Sequence, residues 1–106
     1  METIDDYYEN SEHLTIGQPT VKECAARMCI SPNYLGDLIR QETGESAIRF
    51  INRYIVGKAK SLLVEGNSIA SAAYALGFNY PAHLTKLFSR IEGITPTDFL
   101  KNLKKD

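Results

Sequence analysis

The side chains able to make or break bonds are few, and their spacing does not suit that work. Cys24, Cys29, His13 and His83 are the soft donors a metal would use, and no CxxC or HxxxH spacing occurs among them. At roughly 100° per residue of helix, Cys24 and Cys29 point well apart, so a bridge is not expected and free thiols in a reducing compartment fit. Neither cysteine has a base or cation spaced to form its thiolate, so an acceptor-thiol activity is not expected either. The spacing points to no enzyme, no cofactor and no metal.

Hydrogen-bonding chemistry is better organised. Asn33, Gly36, Asp37 and Arg40 share one side of a helical wheel, and Ala82, Thr85, Lys86 and Ser89 share one side of another. Opposite them stand Leu35, Leu38 and Ile39 in the first segment and Leu84, Leu87 and Phe88 in the second. In a major groove, Arg or Lys pairs with guanine O6 and N7, Asn pairs with adenine, and Ala or Thr methyls meet the thymine methyl. Small side chains on such a face also let a helix sit deep. Asp37 could accept from cytosine N4, or instead tether Arg40 at i,i+3. Backbone anchoring would fall to Lys86, Arg90, Tyr34, Tyr80 and the first-turn amides near Ser31 and Ser68. The alternative for each residue is an ordinary solvated helix face.

These faces need helices to carry them, and the chain supplies them twice. Val21, Cys24, Ala25, Met28, Ile30 and Ser31 recur 48 residues later as Ile69, Ala72, Ala73, Leu76, Phe78 and Asn79. From Leu35 onward the offset is 49, through Gly44 and Gly93 to Phe50-Ile51 and Phe99-Leu100, so the second turn holds one inserted residue. Each copy predicts a short helix, a tight turn, a second helix and a glycine stop. Thr20 or a neighbour opens the first helix, Ser31-Pro32 supplies an N-cap and N1 proline, and Ser68 and Asn79-Tyr80-Pro81 do the same work in the second copy. The small pair Ala25-Ala26, matched by Ala72-Ala73, suits two helices crossing closely.

The boundaries expected are the end of a first helix plus loop over 1–19, a helix-turn-helix over 20–45, a linker helix over 46–65, a second helix-turn-helix over 68–93 and a C-terminal helix over 95–104. Thr3–Glu9 would belong to the first helix. The linker carries Ile48, Ile51, Ile55, Ala59, Leu62 and Leu63 near a 3.6 period, and Thr95 with Asp98 resembles a capping box. Twenty residues of helix span about 30 Å, comparable to the ~34 Å between successive major grooves on one face of DNA. The fold class expected is all-α, two tandem helix-turn-helix subdomains joined by a long central helix.

Charge opposes nucleic acid only in total. The chain has 12 Lys and Arg against 13 Asp and Glu, a net −1, yet Glu2, Asp5, Asp6, Glu9 and Glu12 crowd the first 12 residues without a base, leaving the remainder at +4. No run of about 18 apolar residues exists, and the acidic start is not a signal peptide, so no membrane is expected and a cytoplasmic location follows.

From about Pro19 to Leu103 the sequence resembles the DNA-binding domain of AraC/XylS-family bacterial transcription regulators. The resemblance rests on Ile30-Ser31-Pro32-Asn33-Tyr34-Leu35, Glu42-Thr43-Gly44, Lys58-Ala59-Lys60-Ser61-Leu62-Leu63, Ile69-Ala70, Leu76-Gly77-Phe78, Leu87-Phe88 and Gly93-Ile94-Thr95-Pro96. It implies about seven helices, with the third and sixth reading double-stranded DNA through the same outer positions. It also implies a separate N-terminal sensing or dimerisation domain, absent from this chain. Many relatives have arginine where Ile55 stands, a basic residue near Asp37 and an aromatic at Leu84. The rival reading is a helical protein-interaction module without DNA specificity, contacting RNA polymerase or its own sensing domain, and it requires an exposed apolar patch.

Overall fold

A computed structural model describes residues 20–103, and over them the chain is all-α, with six helices and no strand. The expected first helix and loop, residues 1–19, lie outside the described residues. The helices are α1 (Val21–Arg27), α2 (Pro32–Thr43), α3 (Ala47–Val64), α4 (Ile69–Ala75), α5 (Pro81–Glu92) and α6 (Pro96–Leu103). The chain divides into two compact units, with the boundary inside α3 between Tyr54 and Ile55.

In the first unit, Thr20 Oγ1 accepts from the Glu23 N–H at 3.1 Å and starts α1, satisfying one of the orphan donors of the first turn. The helix closes when the Cys29 N–H bonds to the Ala26 carbonyl at 3.1 Å and the Ile30 N–H reaches back to Ala25 at 3.0 Å. Cys29 holds the left-handed position at φ 60. Ser31 Oγ then accepts from the Tyr34 N–H at 3.1 Å, and Pro32 occupies the first turn of α2. Cys24 and Ala25 on α1 and Leu35 and Ile39 on α2 are buried where the two helices pack.

The close-crossing pair is therefore Cys24-Ala25, aligned with Ala72-Ala73, and Ala26 is exposed. One residue further along a helix is a 100° turn, enough to carry Ala26 off the contact. On α3 a similar correction applies. Ile48 is 63% exposed while Ala47, Ile51, Ile55, Val56, Ala59 and Leu63 are buried, so the inward stripe is displaced from the one expected through Ile48 and Leu62.

The second unit repeats the plan. Ser68 Oγ accepts from the Ser71 N–H at 3.0 Å to cap α4. Gly77, at φ 90, closes it with the same pair of bonds, Gly77 N–H to Tyr74 and Phe78 N–H to Ala73. The inserted residue makes Tyr80, not Asn79, the N-cap of α5, and no side chain caps that helix. Leu84, Leu87 and Phe88 are buried, and Phe88 meets Phe99 of α6 edge-on at 5.6 Å between centroids. Thr95 Oγ1 accepts from the Asp98 N–H at 3.1 Å to start α6.

Candidate nucleic-acid interface

The outer side of α2 consists of Asn33, Asp37 and Arg40, all exposed, with Gly36 half-buried between them. Its inner side holds Leu35 and Ile39, with Leu38 half-buried. On α5, Ala82 and Lys86 are exposed and Thr85 and Ser89 half-buried, opposite the buried Leu84, Leu87 and Phe88. The four outer positions of each helix correspond one to one under the 49-residue offset. Chemistry differs within that match. Asn33 corresponds to Ala82 and Gly36 to Thr85, the carboxylate of Asp37 is replaced by the ammonium of Lys86, and Arg40 gives way to Ser89.

The cations on these two helices are uncommitted. Among the described residues Arg40, Lys86 and Arg90 have no ion-pair partner, and the Asp37–Arg40 tether does not form. Elsewhere cations are engaged: Glu45 Oε1 takes Arg53 at 2.6 Å and Arg49 at 3.5 Å, and Lys60 bridges to Glu92 at 3.0 Å while lying 5.6 Å from the Phe99 ring centroid. The Glu45 clamp went unnoticed in the sequence, although Arg49 and Arg53 stand four and eight residues beyond it, one helical turn apart.

Around each outer face lie groups suited to backbone contact. Ser31 and Ser68 are exposed; each uses a hydroxyl oxygen as cap acceptor, which leaves its O–H free to donate. Tyr34 and Tyr80 are 55% and 64% exposed, and Arg90 is exposed on the last turn of α5. Tyr80 touches His83 edge-on at 5.3 Å. His83 is exposed beside Ala82 and was missed in the sequence, where its place in the first turn of the second reader is the available signal.

Cys24 is buried and Cys29 exposed, both free; burial, and secondarily the nearby Glu23 carboxylate, pushes the Cys24 thiol up from its ordinary 9.0 and keeps it protonated. Among the described residues no group of three His, Cys, Asp or Glu could hold a metal ion, and no helix is long and apolar enough to cross a membrane.

A family profile described as a helix-turn-helix domain matches residues 24–102. The arabinose operon regulatory protein of Escherichia coli K12 is 28% identical over 90 residues, which is 84% of this chain and 31% of that protein. The Bacillus subtilis HTH-type transcriptional regulator YtdP, uncharacterised, is 31% identical over 81 residues, 76% of this chain and 10% of its own length. This chain thus spans about a third or less of those relatives. Among solved structures, the DNA-binding domain of the global transcriptional factor AdpA, in complex with a target DNA, superposes with a TM-score of 0.74 at 26% identity, covering 97% of this chain and 90% of that one. The C-terminal domain of AraT, a response regulator from Geobacillus stearothermophilus, shares the fold at TM-score 0.72 and 22% identity, covering 96% of this chain and 86% of that one. With two helix-turn-helix units, their glycine stops and these likenesses together, the chain belongs to the AraC-type helix-turn-helix family.

Proposed function

We infer that this chain binds double-stranded DNA sequence-specifically as the output part of a bacterial transcription regulator, with α2 and α5 as recognition helices in successive major grooves. The observation that carries the reading is the pair of matched outer faces, each opposite a buried apolar side and each bearing an exposed, uncommitted cation, Arg40 on one and Lys86 on the other. Support comes from the AdpA domain, whose structure holds a target DNA.

Relatives several times longer than this chain support a sensing or dimerising domain elsewhere in the protein; RNA polymerase is the further partner proposed for the assembled regulator. Its relatives being transcriptional regulators supports a role without catalysis and a cytoplasmic place of work. One observation favours the rival, a protein-interaction module: Leu63, Val64, Leu100 and Leu103 line a shallow apolar groove, with Val64 60% exposed.

Selection from randomised duplexes, followed by a salt titration of the best site, separates the two. Enrichment of an asymmetric site, with the logarithm of its binding constant falling linearly with log salt, is the expected result. No enrichment at low salt would overturn the DNA reading for this chain and leave the interaction module.

A further inference from the structure

We propose that Gly36 and Asp37 form a notch in the first reading helix that receives the major-groove edge of a cytosine, Asp37 accepting a hydrogen bond from its N4 amino group. This rests on the DNA reading above and specifies what one of its two helices recognises.

Glycine is a poor residue for the middle of a helix, and among the described residues no neighbour requires it at position 36. A Cβ built there meets no atom within 4 Å, and the backbone is not left-handed there. Gly44 and Gly93 differ, since their φ angles of 78 and 80 need glycine to end a helix. Gly57 on α3 has the same open space, but Gly36 lies on the outer face of α2 directly before Asp37, so the room its missing side chain leaves opens onto the reading surface.

Asp37 is the next residue on that face. It is exposed, and no cation neutralises it among the described residues, although Arg40 stands one turn away. A bare carboxylate facing DNA is repelled by phosphates unless it finds a donor. Ionised Asp is acceptor-only. In the major groove, guanine offers two acceptors, thymine an acceptor and a methyl, and adenine an N7 acceptor beside its N6 donor; cytosine alone presents a donor without an acceptor next to it.

Reach links the two residues. Asp has one methylene where Lys has four, so its carboxylate meets a base edge only if the backbone comes close, and a missing Cβ next to it permits that approach. The second reader shows the contrast, because its equivalent positions carry Thr85 and Lys86, a side chain in place of the gap and a long arm in place of the short one.

The test uses the whole chain, the selected duplex, and three variants. Gly57 is the matched control, a second glycine inside a helix, on α3, whose Cβ would also meet nothing within 4 Å. Gly36→Ala and Gly57→Ala should each raise Tm by roughly 3–8 °C. Gly36→Ala should weaken binding by about 10-fold or more, while Gly57→Ala leaves it as it was. For the unaltered chain, replacing the cytosine read by Asp37 should cost roughly 5- to 150-fold, and Asp37→Asn should abolish that discrimination at one base pair only.

Unchanged binding by Gly36→Ala, or retention of the same cytosine by Asp37→Asn, overturns the proposal. An equal loss in Gly57→Ala also overturns it, because helix stiffening would then be the cause. If the unaltered chain enriches no duplex, the DNA reading itself fails, an outcome distinct from all of these.

Discussion

Arg40 and Lys86 are the long donors on the two outer faces, yet they do not occupy equivalent positions. Arg40 stands at the fourth outer position of α2, and Lys86 at the third of α5. In the proposed complex each would therefore meet a different step of its own groove. Arg40→Ala and Lys86→Ala are expected to relax base preference at separate positions about one helical turn apart, each costing about 1–3 kcal/mol against the preferred base. Selection profiles of the two variants check this; uniform weakening with preference unchanged would make both residues phosphate clamps. Lys60, held by Glu92, and Arg49 and Arg53, held by Glu45, are not available for this work without breaking an existing pair. Which cations were committed was not visible from charge counts. An ion pair depends on where two chains of atoms end, and sequence spacing constrains that only inside one helix.

At the scale of elements, the two helix-turn-helix units solve the same closure with different residues. Both first helices end on a left-handed residue followed by a buried or half-buried apolar one, Cys29-Ile30 in the first unit and Gly77-Phe78 in the second. Glycine reaches that conformation without a Cβ penalty, whereas a cysteine is strained by it. Cys29→Gly is expected to stabilise the chain by up to about 1 kcal/mol, the relief of strain being partly offset by a freer unfolded chain. A urea midpoint that rises with unchanged slope checks it. The next element start differs in the opposite sense: Ser31 caps α2 with its hydroxyl, while the inserted residue puts Tyr80 at the cap of α5 with no side-chain bond. Thr20, Ser31, Ser68 and the glycine stops were legible because caps and stops are local chemistry. The shift from Asn79 to Tyr80 was not, since the repeat aligns Asn79 with the cap Ser31 while the inserted residue puts Tyr80 directly before Pro81.

For the whole molecule, charge distribution matters more than its sum. The net −1 combines a +4 remainder with five acids in the first 12 residues. Replacing Glu2, Asp5, Asp6, Glu9 and Glu12 together with Gln or Asn brings the net charge to +4 and should tighten duplex binding at low salt. The gain should shrink as the Debye length falls from about 10 Å at 0.1 M salt to about 3 Å at 1 M. Parallel salt titrations of the two proteins check it; equal affinity at low salt would show that the acidic segment does not act on the DNA-facing charge.

The sequence by itself determined that this protein is a tandem repeat of helix, turn and helix, where the serine caps and glycine stops of its described helices fall, and which sides of α2 and α5 face outward. Those properties follow from the 3.6-residue period, from capping and from the backbone freedom of glycine, all of which act within a few residues. Tertiary structure decided the finer assignments: Cys24-Ala25 inside and Ala26 out, Ala47 and Val56 inside and Ile48 out, Cys29 left-handed, Asp37 and Arg40 apart, and Glu45 between two arginines. A periodic pattern locates a helix face only to within one residue's 100° turn. The surface packed against that face selects the residue.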